Sequence, residues 1–238
     1  GRHRTPRAST LQELGSHMAG LARYAPCTFG QGCNISLATA VKRINEWSLL
    51  YEPGSALAYS NVGFSLLGRI LELVDSPTFP KGQPWEDSLE VLARLMKMNA
   101  TTATAPHDQD NLARGYEYGQ EVPLDDLGFS NPAGGIYSSA EDMTKLMSFL
   151  LRDGAARNDP SGQVLDSGTV RRWLEERVEI NPSNLNCSDC LYFTEWGVPW
   201  QVFRASLDAN SRVGQFRRFN IFSKDGSIPG YNAQSGAT

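Results

Sequence analysis

Apolar side chains recur three and four positions apart through most of the first two thirds of the chain, which is the spacing of one helix face. Leu11, Leu14, Met18 and Leu21 predict a helix over 10–23, and Leu37, Val41 and Ile44 predict one over 36–48 with Ser36 as its N-cap. Phe64, Leu67, Ile70, Leu71 and Val74 mark a helix over 61–74 with Asn61 at the cap position, and Leu89, Leu92, Leu95 and Met96 mark one over 86–98. Met143, Leu146, Met147 and Leu150 do so over 139–152, where Ser138-Ser139-Ala140-Glu141 reads as a capping box. A shorter helix is expected from Ser167 to Glu176, and Arg152 to Ser161 reads as a loop. The last third changes character. Gly197 to Phe203, Gly214 to Phe222 and the stretch from Gly230 onward are aromatic and β-branched, with Gly, Asp and Asn at the breaks, so they read as strands. Helices first and strands last predict an α+β fold in which an antiparallel sheet packs against a helical region.

Composition narrows the possible functions. The 238 residues are 40% apolar and 20% charged, enough to build a core and too apolar for a disordered chain. Lys and Arg number 22 against 26 Asp and Glu, giving a net charge of −4. With its basic residues scattered, such a chain is not expected to bind nucleic acid. No apolar run approaches the roughly 18 residues of a membrane span, so no membrane partner is expected. His3, His17 and His107 lie far apart without metal-ligand spacing, so no metal or other cofactor is expected.

Four cysteines, Cys27, Cys33, Cys187 and Cys190, suit two disulfides, with three pairings open. The pair flanking Thr28 to Gly32 has the wrong spacing for zinc. Cys187-Ser188-Asp189-Cys190 sits in a polar stretch rather than at the strand-to-helix turn of a redox motif. Three glycosylation sequons begin at Asn34, Asn99 and Asn186. Together these features predict a secreted, disulfide-bonded glycoprotein.

Three islands carry candidate chemistry. In Glu52-Pro53-Gly54-Ser55-Ala56-Leu57-Ala58-Tyr59-Ser60-Asn61, a turn leads into a helix, placing Tyr59 and Asn61 at a helix mouth with its partial positive charge. A phenol held there beside an ammonium is favoured as phenolate and can act as general base or acid. Asn61 can donate to a carbonyl and accept from an amide. The second island, Asn131-Pro132-Ala133-Gly134-Gly135, reads as a structural turn into the next helix. In the third, Lys224-Asp225-Gly226-Ser227, an ammonium sits beside a backbone that a ligand can approach closely.

In this order the islands resemble the serine β-lactamase and penicillin-binding-protein-like hydrolases, which combine S-x-x-K, then Y-x-N, then K-x-G. Tyr59-Ser60-Asn61 looks like the second motif and Lys224-Asp225-Gly226 like the third. The flanks PGSALAYSNVGFSLLGRILE and NPAGGIYSSAEDMTKLMSFLL are similar to the class C-related branch, with its esterases, D-aminopeptidases and β-lactamase-like proteins, and the cysteine and sequon pattern is similar to secreted fungal members. Thr10 to Leu21 resembles that branch's segment just after the nucleophile helix. The resemblance implies a β-lactamase/transpeptidase-like fold over one incomplete domain, 1–238, truncated at both ends. It implies a small-molecule or peptide-like substrate, Tyr59 and Lys224 as catalytic residues, and Asn61, Asp225, Gly226 and Ser227 as substrate-binding residues.

No serine is followed three positions later by lysine. The resemblance places that motif upstream of the segment that opens this chain, so the nucleophile is expected before Gly1 and the 238 residues alone are expected to be inactive. A natural pseudo-enzyme that binds a ligand in the same groove is the alternative. Asp225 stands where many members have Thr. There an aspartate repels a substrate carboxylate, which shifts the expectation from β-lactams toward neutral esters or amides.

Overall fold

The computed structural model describes residues 7–24, 26–27, 33–106, 110–124, 126–155, 162–175, 178–179, 195–206 and 218–237. Its helices are α1 (Leu11–Gly15), α2 (Leu37–Asn45), α3 (Asn61–Leu71), α4 (Trp85–Leu95), α5 (Asn131–Gly134), α6 (Ala140–Leu151) and α7 (Ser167–Glu175). Its strands are β1 (Tyr116–Glu117), β2 (Gln120–Glu121), β3 (Val178–Glu179), β4 (Glu195–Trp196), β5 (Gln201–Ser206), β6 (Arg218–Ile228) and β7 (Tyr231–Ala237). β1 and β2 form a small hairpin that alternation did not reveal. The other five strands form one antiparallel sheet in the order β3-β4-β5-β6-β7. The α+β arrangement expected from the sequence is the observed one.

Differences from the expected elements have local causes. The helix expected over 10–23 stops at Gly15. Thr10 and Glu13 cap its start reciprocally, but His17 takes a φ of 58° and Gly20 one of 71°, which no helix accommodates. Gly20 is required there, since a side-chain carbon would lie 2.1 Å from the Tyr51 carbonyl oxygen. The cap of α3 is Ser60, not Asn61: its Oγ accepts from the Gly63 N–H at 3.1 Å. The Asn131 island is not a bare turn but a one-turn helix, α5. It lies against α3 where Gly68 leaves room for the Pro132 ring, which a side-chain carbon would meet at 2.3 Å. The strand expected from Gly197 starts at Gln201, after a turn closed by the Gly197 N–H to the Trp200 carbonyl. β6 runs on past the expected end at Phe222 to Ile228, so Lys224-Asp225-Gly226 lies inside a strand. Cys187, Cys190, Asn186 and the start of the strand expected from Gly214 lie outside the described residues.

Two apolar clusters anchor the layers. Phe149 and Leu150 of α6 and Val170 of α7 pack with Trp200 and Val202 on the sheet, and Phe222 of β6 borders this cluster. The second joins Cys33, Ala40 and Phe129, with Leu66 of α3 against it. Cys27 and Cys33 form a disulfide beside it.

At the start of α6 the expected capping box is replaced by a different network. Ser139 Oγ accepts from the Asp142 N–H at 3.1 Å. The buried Asp142 carboxylate accepts from the Ala100 N–H at 2.7 Å, Thr101 Oγ1 at 2.9 Å and Lys145 Nζ at 2.7 Å. Replacing Asp142 by Ala leaves the Ala100 N–H without its acceptor and takes one partner each from Thr101 Oγ1 and Lys145 Nζ, and urea unfolding of Asp142→Ala is expected to show a loss of about 1–3 kcal/mol. A loss below a few tenths of a kcal/mol would mean that the network contributes nothing net.

Candidate active site

The segment after α1 is stitched to the chain leading into α3. The Ala58 N–H donates to the His17 carbonyl at 2.8 Å, Ser60 Oγ donates to the Ala22 carbonyl at 2.8 Å, and the Asn61 N–H donates to the Arg23 carbonyl at 3.1 Å. These bonds use the backbone groups that a loop leaves open, and they hold Tyr59 half-buried between two elements. The Tyr59 ring stacks on the His17 imidazole with centroids 4.1 Å apart, and Trp196 of β4 meets the same two rings edge-on at 5.2 and 6.0 Å.

His17 is 1% exposed. Its Nδ1 accepts from the Ser60 N–H at 3.0 Å, which places the ring proton on Nε2, and Nε2 has no hydrogen-bond partner among the described residues. Burial, then the positive charges of Lys224 and Arg23, push the imidazole down to about 3. His17 is therefore neutral at physiological pH, and it supports the tyrosine rather than accepting protons.

β6 brings the second group. Lys224 Nζ lies 3.4 Å from Tyr59 Oη, donates to the Asp225 carbonyl as well, and stands 5.4 Å from the centre of the Tyr59 ring. Residues 165 apart in sequence thus share one hydrogen bond. Strand alternation explains why the lysine faces the helical layer: Phe222, two residues earlier, borders the core formed with α6 and α7. Asp225 and Ser227 fall on the opposite face by the same alternation, and both are exposed, as is Gly226.

The backbone of β6 matters as much as its side chains. β5 begins at Gln201, opposite Ser223, so residues 224–228 have β7 on one edge and no described strand on the other. The Phe222 carbonyl faces β7, lying 3.2 Å from where a Gly236 side chain would start. Backbone groups alternate between edges along a strand. The N–H groups of Asp225 and Ser227 therefore point to the open edge, where a ligand's carbonyl can reach them.

The structure thus brings Tyr59 and Lys224 together and sets Asn61, as the first residue of α3, next to Tyr59. Asp225, Gly226 and Ser227 follow Lys224 along the open edge. Sequence reasoning missed His17, Trp196 and Arg23. The guanidinium of Arg23 lies 5.0 Å from the centre of the Tyr59 ring and 5.2 Å from that of Tyr24. A histidine in an apolar run that ends in Gly20 was the available signal, and the assumed helix over 10–23 hid it. A cavity of about 320 Å³ lies elsewhere, beside Asn34, Arg69, Glu86 and Asp126. Its charges are spent on each other and on the backbone: Arg69 pairs with Glu72, and Asp126 accepts from the Gly128 N–H and Asn131. Among the described residues no group of His, Cys, Asp and Glu side chains could hold a metal ion.

An antiparallel sheet under a helical layer, with a Tyr-x-Asn turn facing a strand lysine, defines the serine β-lactamase and transpeptidase class of fold. The chain belongs to the beta-lactamase family, whose description, Beta-lactamase, matches residues 3–233. It is 28% identical over 242 residues to Beta-lactamase-like protein 2 of Dictyostelium discoideum, covering 98% of this chain and 38% of that protein. It is 25% identical over 184 residues to Beta-lactamase-like protein of Arthroderma benhamiae, covering 77% of this chain and 26% of that protein. The chain therefore spans about two fifths or less of the length of these relatives. Among solved structures it is similar to a class C beta-lactamase from Rhodobacter sphaeroides, with a TM-score of 0.68 at 21% identity over 97% of this chain and 65% of the other. It is similar in the same way to a beta-lactamase/D-alanine carboxypeptidase from Pseudomonas syringae, with a TM-score of 0.68 at 17% identity over 97% and 64%.

Proposed function

We propose that the intact protein is a β-lactamase-related serine hydrolase that cleaves an ester or amide through an acyl-enzyme. The observation that carries this reading is the 3.4 Å contact between Tyr59 Oη and Lys224 Nζ beside an open strand edge. A serine from a Ser-x-x-Lys segment outside these 238 residues attacks the carbonyl carbon. Its oxygen–carbon bond forms, the bond to the leaving group breaks, and the serine proton passes through Tyr59 to the leaving group. The Lys224 ammonium lies where negative charge passes between the phenol and the reacting centre. The Ser227 N–H, on the open edge, donates to the carbonyl oxygen together with the serine's own N–H. Asn61 orients the acyl side chain. Water then cleaves the acyl-enzyme and restores the serine. Asp225 disfavours a carboxylate beside β6, which argues for an ester or amide that is neutral at that position. On this reading the 238 residues alone turn over nothing, because the nucleophile is missing from their sequence.

The Cys27–Cys33 disulfide and the exposed Asn34 and Asn99 of two sequons support secretion and glycosylation. The alternative is a secreted pseudo-enzyme that captures a ligand in the same groove without acyl transfer. One mass-spectrometric experiment separates them. The protein carrying its natural upstream sequence is treated with a serine-reactive fluorophosphonate and with an activated ester, then digested. The hydrolase reading expects a probe adduct on a serine of a Ser-x-x-Lys segment, turnover of the ester, and glycan mass on the Asn34 and Asn99 peptides. An intact protein with neither adduct nor turnover favours the pseudo-enzyme, and unmodified asparagines in the secreted material end the glycoprotein assignment.

A further inference from the structure

Two cations, not one, stand over the candidate catalytic phenol. Lys224 was expected there from its motif; Arg23 was not. The Arg23 carbonyl is fixed by the Asn61 N–H at 3.1 Å, so the residue is tied to the Tyr59-Ser60-Asn61 turn. Its exposed guanidinium reaches over the Tyr59 ring at 5.0 Å, and Lys224 Nζ stands 5.4 Å from the same ring centre. No carboxylate of the described residues lies within ion-pair distance of either cation. Charged residues elsewhere in the molecule are paired where they meet, as Arg69 is with Glu72 and Arg171 with Asp153. Two positive groups gathered on one aromatic ring, with no carboxylate of the described residues paired to either, are open to an incoming anion.

We propose that Arg23 is a specificity-determining residue that selects substrates whose acyl portion carries a carboxylate. The proposal rests on the hydrolase reading above and refines its substrate class. The neutrality argued from Asp225 holds for the β6 side of the cleft, whereas the Arg23 side, next to Asn61, takes the anion. A guanidinium suits this role because its planar fork binds a carboxylate bidentately while its face stays on the tyrosine. The substrate class is therefore the half-ester or half-amide of a dicarboxylic acid, attacked at the uncharged carbonyl.

The test compares two activated esters on the intact enzyme: mono-para-nitrophenyl succinate, which is anionic, and para-nitrophenyl butyrate, which is neutral and of similar length. The readout is the ratio of their kcat/KM values. Wild type is expected to favour the succinate, less so as salt is raised. Arg23→Gln is expected to lower the ratio about 5–10-fold, and Arg23→Lys to keep most of it. An unchanged ratio in Arg23→Gln, or a wild-type ratio favouring butyrate at low salt, overturns the proposal while leaving the hydrolase reading intact. Should wild type turn over neither ester, the hydrolase reading has failed by itself. The inference is then decided by calorimetric binding of phenylbutyrate against phenylbutyramide: tighter binding of the acid in wild type, lost in Arg23→Gln, sustains it, and equal binding of acid and amide ends it.

Discussion

Tyr59→Phe in the protein carrying its upstream segment is expected to slow acylation by an activated ester about 10²–10⁴-fold, the range for removing a positioned general acid or base. The substitution deletes one oxygen and leaves the ring. Stacking on His17 at 4.1 Å and the edge contact with Trp196 do not require that oxygen. Folding stability is therefore expected to change by less than about 1 kcal/mol, so the loss reads out chemistry rather than unfolding. Lys224→Ala is expected to act on the same step, since its ammonium reaches the phenol oxygen at 3.4 Å. The double variant is expected to lose much less than the product of the two single losses, because the pair acts as one unit. Rapid-mixing burst kinetics on the four proteins decides the matter. Full acylation rates in both single variants would remove Tyr59 and Lys224 from the mechanism.

The second large effect is on stability against acid. His17 has a pKa of about 3 in the folded chain and an ordinary value near 6.5 when unfolded. The lowered group binds its proton more readily in the unfolded state. Its contribution is complete above pH 6.5 and is lost as pH falls toward 3. Between pH 7 and pH 5 the loss is expected to be about 2 kcal/mol. The carboxylates of Glu13, held down by the Arg7 guanidinium, and of Asp142 titrate below this window. Urea unfolding at the two pH values, on wild type and on His17→Gln, isolates the histidine. The variant is less stable at neutral pH but shows a flatter pH dependence. Equal slopes in the two proteins would show that His17 is not the group responsible. The same protonation would place an imidazolium beneath Tyr59, next to Lys224 and Arg23, so acid is expected to disrupt the site before the rest of the fold.

Local pattern and tertiary structure part company at two places, α1 and β6. Periodicity located α2, α3, α4 and α6 because each buries one face, and a face is a local property of spacing. It overran at α1. Leu14 and Met18 are both buried, but they reach the core from either side of a break at His17, so a buried pair four apart imitated a longer helix. It also ended the strand before the lysine motif at Phe222, because Asp225-Gly226 has turn-like composition. In the fold, pairing with β7 from Phe222↔Ala237 to Ile228↔Tyr231 outweighs that local preference.

The amino-acid sequence alone determined the α+β class and the order of the motifs, and the resemblance of that order to the serine β-lactamase-like hydrolases pointed to the phenol and the amine. Fold class and motif order depend on spacing and on residue type, both of which are present in a linear chain. Whether Lys224 reaches Tyr59 was decided by the sheet. Its register puts Val202 opposite Phe222 and Gln201 opposite Ser223, and a slip of one residue would turn the ammonium to the other face. The platform under the tyrosine, the second cation above it and the open edge of β6 were likewise decided only in three dimensions. They arise from contacts between residues 17–23, 58–61, 196 and 224, and no local pattern links segments so far apart along the chain.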